Sequence, residues 1–161
     1  MKKFLFLSMT LLLVSCGSVR HLDSRLATLN TNVFTREEAI AVGVSVSDME
    51  KAYSGDKPIS DDEDARFTPA FARYIQDLVQ FMQSQNVSHP EPFRVWVRFY
   101  FNTEGTADYC LVRFICTDEP SAEFCQSYRK DLEAFAATHR LEYDFPRRMA
   151  YCTTLNFAAG L

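Results

Sequence analysis

The residues FRVWVRFYF (93–101), NTEGT (102–106) and ADYCLVRFI (107–115) decide how this chain is read. In the first run Phe93, Val95, Val97, Phe99 and Phe101 alternate with Arg94, Trp96, Arg98 and Tyr100. Successive side chains of a strand point to opposite faces, so a period of two describes a β-strand with one apolar face. Asn102-Thr103-Glu104-Gly105 puts a glycine where a tight turn needs a left-handed residue. Ala107, Tyr109, Leu111, Arg113 and Ile115 carry the alternation back, which predicts a long β-hairpin. With Thr103-Glu104-Gly105 as the loop, Val97 faces Leu111, Phe99 faces Tyr109, and Arg98 shares the opposite face with Cys110.

A hairpin alone is marginal in water and needs a covering layer. Two segments have the helical period to supply it. Thr68 suits an N-cap and Pro69 a first helical position, and Phe71, Ile75, Leu78, Val79 and Met82 then form one apolar stripe. Residues 86–92 break that helix. A second runs from Pro120 to about Thr138, with Phe124, Tyr128, Leu132, Phe135 and Ala136 on its apolar side. After a loop from Arg140 to Arg148, Met149, Tyr151, Thr153, Leu155 and Phe157 alternate as a final strand. Upstream, Thr35-Arg36-Glu37-Glu38 is a capping box that predicts a short helix over 36–42, ended by Gly43. Val44 and Val46 suggest a brief extended piece, and residues 55–64 read as a linker. The chain divides into a leader (1–15), a tether and linker with one short helix (16–66), and an α+β domain (67–161).

The leader, MKKFLFLSMTLLLVSCGS, has a positive start at Lys2 and Lys3 and an apolar stretch from Phe4 to Val14. That run is too short to span a bilayer, which takes about 20 apolar residues. It has the layout of an export signal. Leu13-Val14-Ser15-Cys16 resembles the lipobox of bacterial lipoprotein signals at every position. The resemblance implies cleavage before Cys16 and acyl chains on that cysteine, enough to anchor the protein to a membrane. Gly17 follows, where an Asp would resemble an inner-membrane retention signal, so the expected location is the periplasmic face of an outer membrane. Removing residues 1–15 takes away Lys2 and Lys3 and no acid, so 17 basic side chains become 15 against 21 acidic. Nucleic acid is thereby set aside as a partner, because its binding rests on Lys and Arg neutralising phosphates.

The order helix, hairpin, helix, strand over residues 67–158 resembles the C-terminal domain of the TonB family, in its Bacteroidota variants above all. The motifs that carry the likeness are Phe71 to Gln76 before the first strand, the Phe99-to-Gly105 spacing in the hairpin, Pro146 in the late loop and Asn156-Phe157 at the close. Phe81-Met82, Phe93-Arg94 and Tyr143-Asp144-Phe145-Pro146 stand where the family carries Tyr-Pro, a glycine and Trp-x-Pro. The resemblance implies a small ββαβ domain with a three-stranded sheet, preceded by an extra helix. The first strand (93–101) then lies between the other two. The last strand, with Met149, Tyr151, Thr153, Leu155 and Phe157, becomes an open edge able to pair with a partner segment. The inner-membrane helix and proline-rich spacer of TonB proper are not in this sequence, so energy transduction is not implied.

No cofactor is expected and no catalytic constellation emerges. Asp61-Asp62-Glu63-Asp64 lacks the staggered spacing and glycine of a calcium loop. His21, His89 and His139 have no zinc-ligand spacing. Arg94 and Arg98 beside Trp96 suit an acidic ligand, or more simply an acid such as Asp108 on the solvent face. An exported chain meets an oxidising space, so disulfides are weighed first. Cys110 and Cys116 sit on one strand about 20 Å apart, beyond bridging range. Cys116 with Cys125 is the local pairing. It leaves Cys110 with Cys152, both on the outer face of the sheet but two strand spacings of about 4.8 Å apart under the expected order, too far to bond. The functional expectation is an envelope lipoprotein whose domain binds a peptide or protein partner. A purely structural lipoprotein and a thiol-dependent enzyme built on Cys110 or Cys125 are the alternatives.

Overall fold

The computed structural model describes residues 20–53, 61–85, 92–116 and 120–158. The chain is an α+β protein with a four-stranded mixed sheet buried on both faces. Residues 20–26 form helix α1, which runs into a 3₁₀ turn at Ala27–Leu29. Strand β1 (Val33–Phe34) follows, then α2 (Arg36–Ala41), α3 (Val46–Tyr53), α4 (Asp61–Ser84), β2 (Phe93–Phe101), β3 (Ala107–Ile115), α5 (Ala122–Thr138) and β4 (Met149–Phe157). The sheet order is β1-β3-β2-β4, with β1 parallel to β3 and both other pairs antiparallel. The three long strands thus have the expected bounds and order, and the sheet gains a fourth member at the β3 margin.

One face of β2 presents Phe93, Val95, Val97, Phe99 and Phe101 to a core completed by Phe67, Tyr74 and Leu78 of α4 and by Tyr128, Leu132 and Phe135 of α5. Tyr100 and Leu111 look the other way, into a second core with Leu22, Leu26, Phe34, Met49 and Tyr53. Residues 20–53, read from sequence as part of a tether and linker, therefore form a layer of their own beneath the sheet. Val46, expected in an extended piece, opens a helix instead. The Ser45 hydroxyl accepts from the Asp48 backbone N–H at 3.1 Å, and the Asp48 carboxylate accepts from the Ser45 N–H at 3.1 Å. This reciprocal cap satisfies donors that a helix start otherwise leaves orphaned. The box at Thr35 and Glu38 forms as its sequence predicts.

The hairpin register differs from the expected one by one residue over most of its length. Val97 lies opposite Val112 and Phe99 opposite Cys110, while Phe101 lies opposite Ala107. The shift falls between Tyr100 and Phe101, where Asp108 is the extra residue, a β-bulge. Its carboxylate accepts from the Asn102 amide at 2.7 Å and from the Tyr53 hydroxyl at 2.9 Å. The bulge turns Cys110 and Val112 into the upper core and leaves Tyr109 and Leu111 to the lower one.

Helix α4 starts at Asp61, seven residues before the expected cap at Thr68, and carries Pro69 in its interior. An interior proline costs about 3 kcal/mol relative to alanine. Phe67 sits just before it with no exposed surface, its ring 4.7 Å from Tyr151 and 5.4 Å from Tyr143. Burying one such ring contributes about 1.5–3 kcal/mol, enough to offset much of the proline penalty, and Phe71, Tyr74 and Leu78 of the same helix add their burial to it.

Gly105 has φ +81°, and a Cβ there would meet the Leu141 carbonyl oxygen at 2.2 Å. The Gly105 carbonyl accepts from the Leu141 N–H at 2.9 Å, which seats the late loop against the turn. Gly105→Ala is expected to cost about 1–3 kcal/mol from the backbone conformation, plus the displacement of that loop. Urea unfolding followed by the fluorescence of Trp96, the chain's single tryptophan, measures it; an unchanged midpoint would contradict the packing described.

Candidate functional site

β4 pairs with β2 in unbroken register from Phe93 opposite Phe157 to Phe101 opposite Met149. Among the described residues no strand pairs with its other side. Met149, Leu155 and Phe157 are buried in the upper core, and Tyr151 and Thr153 on the same face are half-buried. Cys152, Thr154 and Asn156 point the other way and are exposed. The nine residues MAYCTTLNF contain no charge, proline or glycine, and no bulge interrupts the pairing. Natural sheet edges are usually blunted by such devices, because unpaired N–H and C=O groups recruit other strands. The five residues singled out in sequence thus anchor the strand, while its backbone is what faces outward. Among the described residues before 65, β1 joins β3 and no strand lies along this margin.

The lower face is tied together by polar contacts that sequence reading did not find. Glu50 of α3 pairs with Arg98 and accepts from the Tyr100 hydroxyl at 3.2 Å. The Tyr109 hydroxyl donates to Asp23 of α1 at 2.8 Å. Arg129 of α5 donates to the Val33 carbonyl at 2.8 Å and to Glu38 at 2.9 Å, pinning β1 and α2 to the rest of the molecule. Arg98 pairs with Glu50 and not with Asp108, contrary to expectation, because the bulge directs Asp108 to Asn102 and Tyr53. Glu50 was hidden by the linker reading, although Val46, Met49 and Tyr53 at helical spacing signalled a helix there.

The cysteines are dispersed. The structure joins none of the described cysteines by a disulfide, the Cys116–Cys125 pairing included. Cys110 is fully buried, and burial pushes its thiol well above the ordinary range, with Glu133 adding to the effect. A nucleophilic thiol needs the opposite shift. Cys110 and Cys152 lie on opposite faces of the sheet, contrary to expectation; the bulge moved Cys110. Cys116 directly follows β3 and is half-buried. His139 serves α5: its ring stacks on Phe135 at 4.1 Å, and its Nδ1 lies 2.9 Å from the Thr138 hydroxyl. No histidine hydrogen-bonds to Cys110, Cys116 or Cys152 among the described residues. No group of three or more His, Cys, Asp or Glu side chains there is arranged to hold a metal ion, and no described helix is long and apolar enough to cross a membrane. Cys16 lies outside the described residues, as does His89.

Neither a family model, nor a curated protein, nor a solved structure matches this chain.

Pulsed labelling of the native protein with a maleimide is expected to modify Cys152 first and Cys110 only at the rate of global unfolding. Mass spectrometry of the peptides reads the order, and equal rates at the two positions would refute the burial of Cys110.

Proposed function

We propose that this chain is a membrane-anchored envelope lipoprotein with a non-catalytic domain that binds a peptide or protein segment by strand addition along β4. The observation that carries this reading is the outer side of β4, nine residues of regular, uncharged strand with no strand partner among the described residues. A segment added there would gain main-chain hydrogen bonds worth about 0.5–1.5 kcal/mol each. Specificity would come from side chains meeting Cys152, Thr154 and Asn156 on one face and the rim of the upper core on the other.

Two further features support it. The lipobox Leu13-Val14-Ser15-Cys16 is the basis for the anchor and for the outer-membrane, periplasm-facing location. The order of the three long strands agrees with what the TonB-like resemblance implies, which makes β4 the edge used for pairing. The layer from 20 to 53 is an addition to that pattern. It covers the lower face and part of the β3 margin, and β4 keeps an outer side with no strand partner among the described residues. The seclusion of the Cys110 thiol disfavours the thiol-enzyme alternative at that residue.

A photo-crosslinking amino acid in place of Thr154 is expected to give a discrete adduct in the native envelope, whereas one in place of the exposed Lys130 on α5 is not. If position 154 yields nothing reproducible, or both positions yield the same products, strand addition at β4 is wrong. Cys16→Ala is expected to abolish acylation and shift the protein from the detergent phase to the aqueous phase on partitioning. An unchanged partition would remove the anchor from the proposal.

A further inference from the structure

The opposite margin of the sheet is finished differently. β1 covers β3 only at Cys110 and Leu111. The chain then leaves at Thr35 to begin α2, so the outer side of β3 from Val112 to Ile115 has no strand beside it among the described residues. Against this stretch lies a cleft of about 820 Å³ whose lining includes Arg36, Val46, Trp96, Leu111, Arg113 and Ile115. Trp96 is half-buried at its floor, on the face where β2 also presents Arg94. Arg94 stands directly across from Ile115.

The charge of this cleft is out of keeping with the chain, whose net charge is −4. Arg36, Arg94 and Arg113 are exposed, and none has a hydrogen bond or ion pair to another described residue. By contrast, Arg98 and Arg129 are each matched with a glutamate. Glu37 is the single acid in the lining. Two guanidinium groups, Arg36 and Arg113, with Glu37 the single acid beside them, therefore line the cleft next to the outer margin of β3, and Arg94 stands near its end. Guanidinium groups recognise carboxylates through charge-assisted, often paired hydrogen bonds. An extended chain sends alternate side chains to one face, so acids at every second position would meet these arginines while the backbone pairs with β3.

We propose that this cleft is a second binding site, taking an extended acidic peptide segment of a partner protein as an added strand on Val112–Ile115. It lies at the other margin of the sheet from the β4 edge and differs from it in lining residues and charge. A nucleic acid would use the arginines but not the strand edge, and an anionic lipid surface would not need the backbone donors.

The test uses the fluorescence of Trp96 in the full chain, titrated with a blocked octapeptide alternating Glu and Val. A saturable change is expected. A Gln/Val peptide of the same length, an N-methylated Glu/Val peptide lacking alternate backbone donors, and an Arg36→Ala/Arg113→Ala double variant should each weaken binding by about tenfold or more. Both substituted arginines are exposed, and far-UV circular dichroism checks that the variant keeps its fold. Arg73→Ala, on α4 and outside this cleft, should bind like the parent. No saturable change with the Glu/Val peptide overturns the proposal. So does equal binding of the neutral or N-methylated peptide, or undiminished binding by the double variant. A response to phosphatidylglycerol vesicles or single-stranded oligonucleotide that exceeds the peptide response overturns it as well. The β4 crosslinking result does not bear on any of these outcomes.

Discussion

Asp108 occupies the one position where the hairpin turn, the sheet and the N-terminal layer meet. As the extra residue of a bulge it sets which side of β3 each later side chain takes. Its two carboxylate oxygens then hold the Asn102 amide and the Tyr53 hydroxyl. The Asn102 side-chain oxygen in turn accepts from the backbone of Glu104 and Thr106, closing the turn whose Gly105 seats the late loop. Without the bulge, Cys110 and Val112 would face the lower layer and Tyr109 and Leu111 the upper one, and neither core would fill. Burial and the neighbouring carboxylate together raise the Tyr53 phenol far above its ordinary value, so this hydroxyl remains a donor across the physiological range.

A sheet covered on both faces leaves its margins as the places where backbone can still be offered. Here the two margins have different chemistry. β4 presents a neutral, regular edge, and β3 presents from Val112 to Ile115 an edge beside Arg36 and Arg113. The short β1 separates the layer's structural task from the rest of that margin. It contributes Val33 to the upper core and Phe34 to the lower one, then stops.

How much of this was legible in the sequence depended on how local each cause is. Alternation in 93–101, 107–115 and 149–157 gave the bounds of all three long strands, because period two is imposed by the backbone itself. The cap at Thr35 is equally local. The register of the hairpin was not legible, since it turns on a contact between Asp108 and Tyr53, distant in sequence. The start of α4 was misplaced because Pro69 is a strong local signal that the burial of Phe67, Phe71, Tyr74 and Leu78 outweighs. The lower layer escaped because α2 and α3 span six and eight residues, too short to declare a stripe, although Ser45 and Asp48 marked the start of the second. For the candidate site, the inward residues of β4 could be named, but not which margin of the sheet β1 would join.

Helix α1 is already formed at residue 20, and that sets a length. With acyl chains on Cys16, as proposed, the anchor would stand four residues before Arg20 in the chain. At most about 3.6 Å per residue, that span cannot exceed about 14 Å. A domain held in the proposed way would meet chiefly what lies within its own breadth of the bilayer. Under that proposal its search would be two-dimensional, and partners confined to the same membrane would gain in effective concentration what distant ones lose.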